Sequence, residues 1–297
     1  PLRDHEIAAA DRLDDGLPQS LEAYLRRQEL RWLKVKVNGD LSADMDRLRG
    51  IAALTDEVAG PGVVAISLDG NEQYGELASF DELLARIEAE LPAFYAAIRY
   101  IEQPLERAVA LDTAQATGIA AVTARKPMVI DESDGDLDAF SRAVELGYRG
   151  VSTKNCKGLF KALANAALAR RLSQARDGEF FLTGEDLMNL PIVPVHQDLT
   201  HVAALGIDHA ERNGHHYVRG LDHLSASERQ RLLQEHPDMY CATKDTGHAS
   251  GHSSGHLNVV RGSIDIRSLQ RPGLGTGDNV DTGGMIPLDD WTFDSLA

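Results

Sequence analysis

The feature that most restricts what this chain can fold into is a strict alternation of strand patterns with helix patterns. Seven short apolar stretches read as strands: residues 32 to 37, then "GVVAISLDGN", "RYIEQPL", "PMVIDES", "GVSTKNCKG", "EFFLTGED" and "GHHYVRGL". Amphipathic helix patterns separate them, among them "DMDRLRGIAALTDEVAG", "DELLARIEAELPAFYAAI" and "LFKALANAALARRLSQA". Such alternation predicts a parallel sheet, and parallel strands are covered on both faces. A strand sends successive side chains to opposite faces. In "LKVKV", Leu33, Val35 and Val37 therefore share one face and Lys34 and Lys36 the other, and both lysines are expected in the interior.

Polar residues gather at the C-terminal ends of these strands with a regular step: 33 residues from Lys36 to Asp69, 33 on to Glu102, 29 to Asp131 and 23 to Lys154. A closed (β/α)8 barrel of about 250 residues spends roughly 30 residues per unit and carries its chemistry at those strand ends. An open doubly wound sheet is expected to carry a Gly-rich phosphate turn at a switch point, and the sequence shows none. The expected fold is thus a TIM-type (β/α)8 barrel. It is a modified one, because the stretch before Lys34 reads as loop plus helix and the first strand is expected to be missing from this chain. Residues 1–220 are assigned to the barrel and 221–297 to a C-terminal segment with a loosely held end from "GTGDNVDTGG" onward.

Asp69, Glu102 and Asp131 end three consecutive strands, which brings their carboxylates toward one point. One acidic residue at a strand end is ordinarily a helix cap or a solvated loop. Three in register, flanked by strands that carry lysines, suit a hard cation such as Mg²⁺. Removing a proton beside a carboxylate leaves two negative oxygens, so that chemistry needs a cation for the charge and a lysine or histidine as base. Crowding Lys34 and a metal against Lys36 is expected to lower the Lys36 pKa, since like charge and desolvation both oppose the ammonium form.

The motifs "KVK", "DGN", "IEQP", "DES" and "STK" follow one another in the order and spacing of the enolase superfamily, and the chain resembles the barrel domain of its muconate-lactonizing and mandelate-racemase-like branches. The resemblance runs from about residue 20 to 220, with a weaker echo in "RPGLGTG", similar to the segment that returns to the family's capping domain. It implies that Asp69, Glu102 and Asp131 bind Mg²⁺ and that Asn71 supports the site. Lys36 and Lys154 are then acid and base on opposite faces of a small-molecule carboxylate substrate, with Lys34 beside them touching the substrate carboxylate. The implied activity is Mg²⁺-dependent α-proton abstraction through an enediolate, as in racemases and epimerases, cycloisomerases or dehydratases. Lys154 on the sixth barrel strand, with no histidine ending the seventh, places the chain nearer the two-lysine branch. "KNCKGLF" departs from the family by offering one Gly where a pair is frequent, and the capping domain is largely missing. Glu185 and Asp186 in "TGED" are candidates for a polar or cationic substrate group, or for a helix cap.

The net charge of −16 argues against nucleic acid and anionic membrane as partners. Only Cys156 and Cys241 occur, which fits a reducing cytoplasm. No apolar run approaches eighteen residues. A homo-oligomer is expected. His248, His252 and His256 recur every four residues, but glycine and serine between them speak for a loop rather than a metal-binding helix face. Cys156 lacks an evident partner histidine, and Ser225 with Glu228 has capping-box spacing. Two rivals use the same residues: an aldolase-type barrel in which Lys34, Lys36 or Lys154 forms a Schiff base, and a non-catalytic barrel that binds a carboxylate.

Overall fold

The computed structural model describes residues 1–13, 15–176, 178–185, 189–212, 218–243, 255–275, 282–283 and 285–292. After helix α1 (Leu21–Gln28) come β1 (Trp32–Lys36), α2 (Leu41–Ala59), β2 (Ala65–Asp69), α3 (Leu77–Glu90), α4 (Pro92–Ala97) and β3 (Ile98–Glu102). The alternation continues through α5 (Arg107–Ala110), α6 (Ala116–Arg125), β4 (Met128–Ile130), α7 (Ala139–Leu146), β5 (Gly150–Thr153), α8 (Leu159–Ala175) and β6 (Phe181–Gly184). Beyond them lie α9 (Val193–Ala204), α10 (Ala226–Glu235), β7 (Tyr240–Ala242) and β8 (Gly255–Leu257).

Strands β1 to β6 form one parallel sheet in sequence order, each paired with the next. The sheet curls: Lys34 on β1 reaches Glu185 just past β6 at 3.2 Å, and the Tyr100 and Phe181 rings on β3 and β6 are 5.7 Å apart. The result is a partial (β/α) barrel. Local signals explain its elements. Ser20 caps α1 by accepting the Ala23 N–H, and Asp40 caps α2 by accepting the N–H groups of Ser42 and Ala43. The apolar face of α2, Met45, Leu48, Ile51 and Ala52, recurs at helical spacing and is buried. The predicted capping box of Ser225 and Glu228 opens α10.

The two faces of the sheet differ as the alternation requires. Val35, Val37, Ile66, Leu68, Ile101, Met128, Ile130 and Val151 point outward into the main core beneath the helices. The opposite set, running through Lys34, Ser67, Glu102, Ser152 and Thr183, lines the interior. At its N-terminal end the interior is aromatic: Trp32 stacks on His209 with centroids 4.0 Å apart, and Tyr100 packs beside both.

The expected seventh strand is a correction. Of "GHHYVRGL", residues 214–217 lie outside the described ones, and Val218–Leu221 lead into a turn rather than the sheet. The place beside β6 is taken earlier in the chain, where Ala210 makes a parallel bridge to Gly184. A second core joins α9, α10 and β7 through Ile192, Val195, Leu199, Leu232, Met239 and Tyr240.

Candidate functional site

The strand register brings the polar ends together. Lys36 is the β1 partner of Asp69 on β2, and Asp69 is the partner of Glu102 on β3. Gly70, which follows Asp69, makes the close approach possible: a Cβ there would lie 2.4 Å from the Pro104 Cα. Beside it the backbone of Asn71 (φ 43°) and Gln103 (φ 32°) adopts the left-handed region that non-glycine residues rarely occupy. Such strain persists where surrounding structure holds it, and it concentrates at functional sites. Gln103 is fully buried and fixes the neighbouring strand end, accepting the Asp131 N–H at 2.9 Å while donating to Ser133 Oγ at 2.7 Å.

An almost continuous chain of opposite charges fills the mouth of the interior. Lys34 Nζ lies 2.9 Å from Glu211, 3.1 Å from Glu102, 3.2 Å from Asp69 and 3.2 Å from Glu185. Lys36 donates to Asp69 Oδ2 at 2.8 Å. Lys154 donates to Asp131 Oδ2 at 2.7 Å and lies 2.9 Å from the same Glu185 oxygen that faces Lys34. Lys157 holds the other Asp131 oxygen at 2.8 Å, and also bonds the Asp131 and Ser152 carbonyls. The Lys34 side chain is 8% exposed, whereas that of Lys36 is 46% exposed. Both opening lysines thus face inward, but at different depths. Asn71 accounts for two contacts: its N–H donates to Asp69 Oδ1 and its side-chain amide donates to Glu132.

These surroundings displace the titrations. Burial pushes the Glu102 carboxyl well above the usual carboxylate range; Lys34 opposes this, while Asp69, Glu185 and Asp131 add to it. Asp131 resists its own burial because Lys157 and Lys154 hold it down to about 2. Glu132 is pushed up to about 7, first by burial and then by the Asp131 charge. For Lys36 burial favours the neutral amine and Lys34 adds to that, but the charge and hydrogen bond of Asp69, helped by Glu211, prevail, so its pKa is raised. The expectation of a lowered value counted Lys34 and a bound metal; with Asp69 free of metal, its carboxylate acts in the opposite direction. Lys34 and Lys154 are raised for the same reason.

The donors suit a hard divalent ion. Among the described residues, Glu102, Asp131 and Glu185 are buried and each offers an oxygen within 4.8 Å of the others. Oxygen-only, carboxylate-rich sets of this kind select Mg²⁺ or a similar cation. Asp69, the other predicted ligand, sits at the margin between Lys36 and Lys34. The sequence reading missed Glu211, Lys157 and Gln103. Lys157 was visible three residues after Lys154 in "KNCKG", and Gln103 stood inside "IEQP". Glu211 gave no signal, because it follows α9 rather than a recognisable strand.

Other candidates lie elsewhere. Asp186, His248 and His252 are outside the described residues. His256 pairs with Cys241 across β7 and β8, Nε2 to Sγ 3.2 Å, while its Nδ1 lies 3.2 Å from Thr243 Oγ1. Cys156 is exposed, and both cysteines are free. No helix among the described residues is long and apolar enough to cross a membrane.

No protein-family model and no curated protein matches the chain. Solved structures do. Muconate lactonizing enzyme from Pseudomonas putida is 17% identical over 64% of this chain and 47% of that one, with a TM-score of 0.46. A dipeptide epimerase from Cytophaga hutchinsonii, solved with Mg and the dipeptide D-Ala-L-Val, is 19% identical over 65% and 47%, with a TM-score of 0.47. A member of the enolase superfamily from Polaromonas sp. JS666 is 18% identical over 64% and 44%, with a TM-score of 0.49. The chain spans less than half the length of each of these proteins.

Proposed function

We propose that the chain carries the catalytic half of an enzyme that abstracts the proton α to the carboxylate of a small molecule, with Mg²⁺ as cofactor. The observation that carries this reading is the row of strand-end carboxylates, Asp69, Glu102 and Asp131, bracketed by Lys36 at one end and Lys154 at the other. Glu102 and Asp131 would hold the ion with Asp69 as third ligand, and Glu185, whose oxygen lies within 4.8 Å of those of Glu102 and Asp131, is the alternative third ligand. When bound, the ion supplies positive charge for the oxygens that become negative as the proton leaves.

The lysines do the proton work. Lys36 and Lys154 reach the substrate from opposite sides, one removing a proton from the α-carbon and the other returning one, while Lys34 steadies the substrate carboxylate. In the described arrangement each is held as an ammonium by carboxylates. A carboxylate shared with a cation holds its lysine less strongly, which lets Lys36 and Lys154 move toward values where they exchange protons. Asp186, together with Glu185 when it does not serve the ion, would bind a polar or cationic group of the substrate. Residues 1–220 are the catalytic barrel portion in this reading and 221–297 the segment that returns toward a cap. The protein is a cytoplasmic homo-oligomer that yields a racemised, cycloisomerised or dehydrated product.

Calorimetry with Mg²⁺ tests the ligand set. Glu102→Gln is expected to weaken binding by more than about a hundredfold, since loss of an outer-shell partner alone costs roughly 10- to 100-fold. Unchanged affinity sinks the assignment. Incubating the protein with small carboxylates in D₂O then tests the reaction: α-deuterium must appear with Mg²⁺ and vanish with EDTA.

A further inference from the structure

A cavity of about 360 Å³ lies between α1 and the second core, and none of the site residues described above lines it. That is a ligand-sized volume. Its walls are mostly apolar, with Leu17, Tyr24, Leu221, Leu257, Val259 and Ile264 among them. One acidic group interrupts them. Asp15 is 4% exposed, and one of its oxygens accepts the Leu17 N–H at 2.9 Å. Among the described residues the ion-pair partner of the other oxygen is Arg219, with Nε at 3.6 Å, too far for a hydrogen bond, and His256 and Tyr24 are the other groups that sense its charge. A buried carboxylate held by one backbone amide is under-compensated, because burying a charge is costly unless it is paired.

The cations of the wall do not fill that deficit. Arg212 is committed to Asp198 at 2.5 Å, with both side chains buried. Arg219 is 44% exposed on its side chain and is drawn equally toward Asp222 at 3.5 Å. His256, also in the wall, is held below its ordinary value by burial, which outweighs the opposing pull of Asp15, and its ring nitrogens lie against Cys241 and Thr243. The cavity therefore combines an apolar body, an aromatic ring and one negative group that lacks a full partner among the described residues. An ammonium can pair with the carboxylate while its carbon skeleton covers the leucines, and a tyrosine face also attracts a cation.

From this geometry we infer that the cavity is a second ligand site, which takes a small organic ammonium with an apolar tail and anchors it on Asp15. It is independent of the proton-abstraction reading, since the two sites share no residue.

The test is calorimetry of the whole chain with 2-phenylethylammonium, alongside 3-phenylpropanoate as the carboxylate of similar shape. The ammonium is expected to bind saturably and more tightly than the carboxylate. Asp15→Asn, which keeps an acceptor for the Leu17 N–H, should weaken it tenfold or more. Leu257→Trp, which fills the cavity without touching Asp15, should do the same and decides the matter if Asp15→Asn fails to fold. Saturating Mg²⁺ should leave the binding unchanged. Absence of binding, preference for the carboxylate, or a loss of less than tenfold in the variant that folds overturns the inference.

Discussion

The two ends of the barrel interior are built from the same strands and contain opposite chemistry. At the N-terminal end, Trp32, Tyr100, Phe181 and His209 form an aromatic floor. Two residues further along the same strands, Lys34, Glu102 and Thr183 begin the polar layer, and Lys36, Asp69 and Glu185 continue it. Stability and chemistry are thus separated along a few ångströms of strand. The floor can be well packed because it is built of stacked and tilted rings, and the mouth can hold an excess of carboxylates because the floor keeps the scaffold in place.

Mutations can break this division. The largest effect is expected at the mouth: Lys154→Ala should cut α-proton exchange on one face of the substrate by about 10²- to 10⁴-fold, and Lys36→Ala should do so on the other. Deuterium incorporation resolved by stereochemistry reads the outcome. If both variants keep exchange on both faces, the lysines are not the acid and base.

Lys34→Met should come next. It removes the cation shared by four carboxylates, and breaking one side of a buried ion cluster costs about 3–5 kcal/mol. Denaturant unfolding at neutral pH measures it, and added Mg²⁺ should restore part of the loss. At the floor, Tyr100→Ala should cost about 3 kcal/mol in the same measurement through the cavity it leaves, yet leave Mg²⁺ affinity within about twofold. A large change in affinity would show that the two ends are not separable.

The smallest effect concerns Glu132. Its pKa in the folded protein, about 7, lies above its ordinary value of 4.5. Between those values the folded chain keeps a proton that the unfolded chain has lost, so stability contributed below about pH 4.5 disappears as pH rises through 7. Glu132→Gln should flatten that decline in thermal melts between pH 4.5 and 8. A decline of the same slope in both proteins rejects the assignment.

The comparison also shows what could be read in advance. The alternation of Leu33, Val35 and Val37 with Lys34 and Lys36 gave the inward face directly, because a parallel sheet leaves a strand no solvated side. The even step from Lys36 to Lys154 placed the mouth for the same reason: each strand and its helix consume a fixed length of chain. Depth was not legible. Whether a lysine is covered depends on partners such as Glu185 and Glu211 that are remote in sequence, and so does the direction of its titration. The place beside β6 was misread because Ala210 reaches the sheet through one bridge without a strand pattern, while Val218–Leu221, the described part of the stretch expected there, lead into a turn near the second core.

The pairing of Lys34 with Glu211 also sets an order of events during synthesis. The two residues are 177 positions apart, so Lys34 emerges long before the segment that completes its surroundings. At about 5–20 residues per second the interval is roughly 10–35 s, far longer than the microseconds in which helices form. Asp69 and Glu102 arrive early in that wait and can neutralise the lysine while the curl is still open. Closure by residues 209–211 must then come late, since contacts between distant parts of a chain form after local ones. The nascent chain should therefore pass through a stage in which the helix-covered side of the sheet has consolidated and the charged interior is still hydrated.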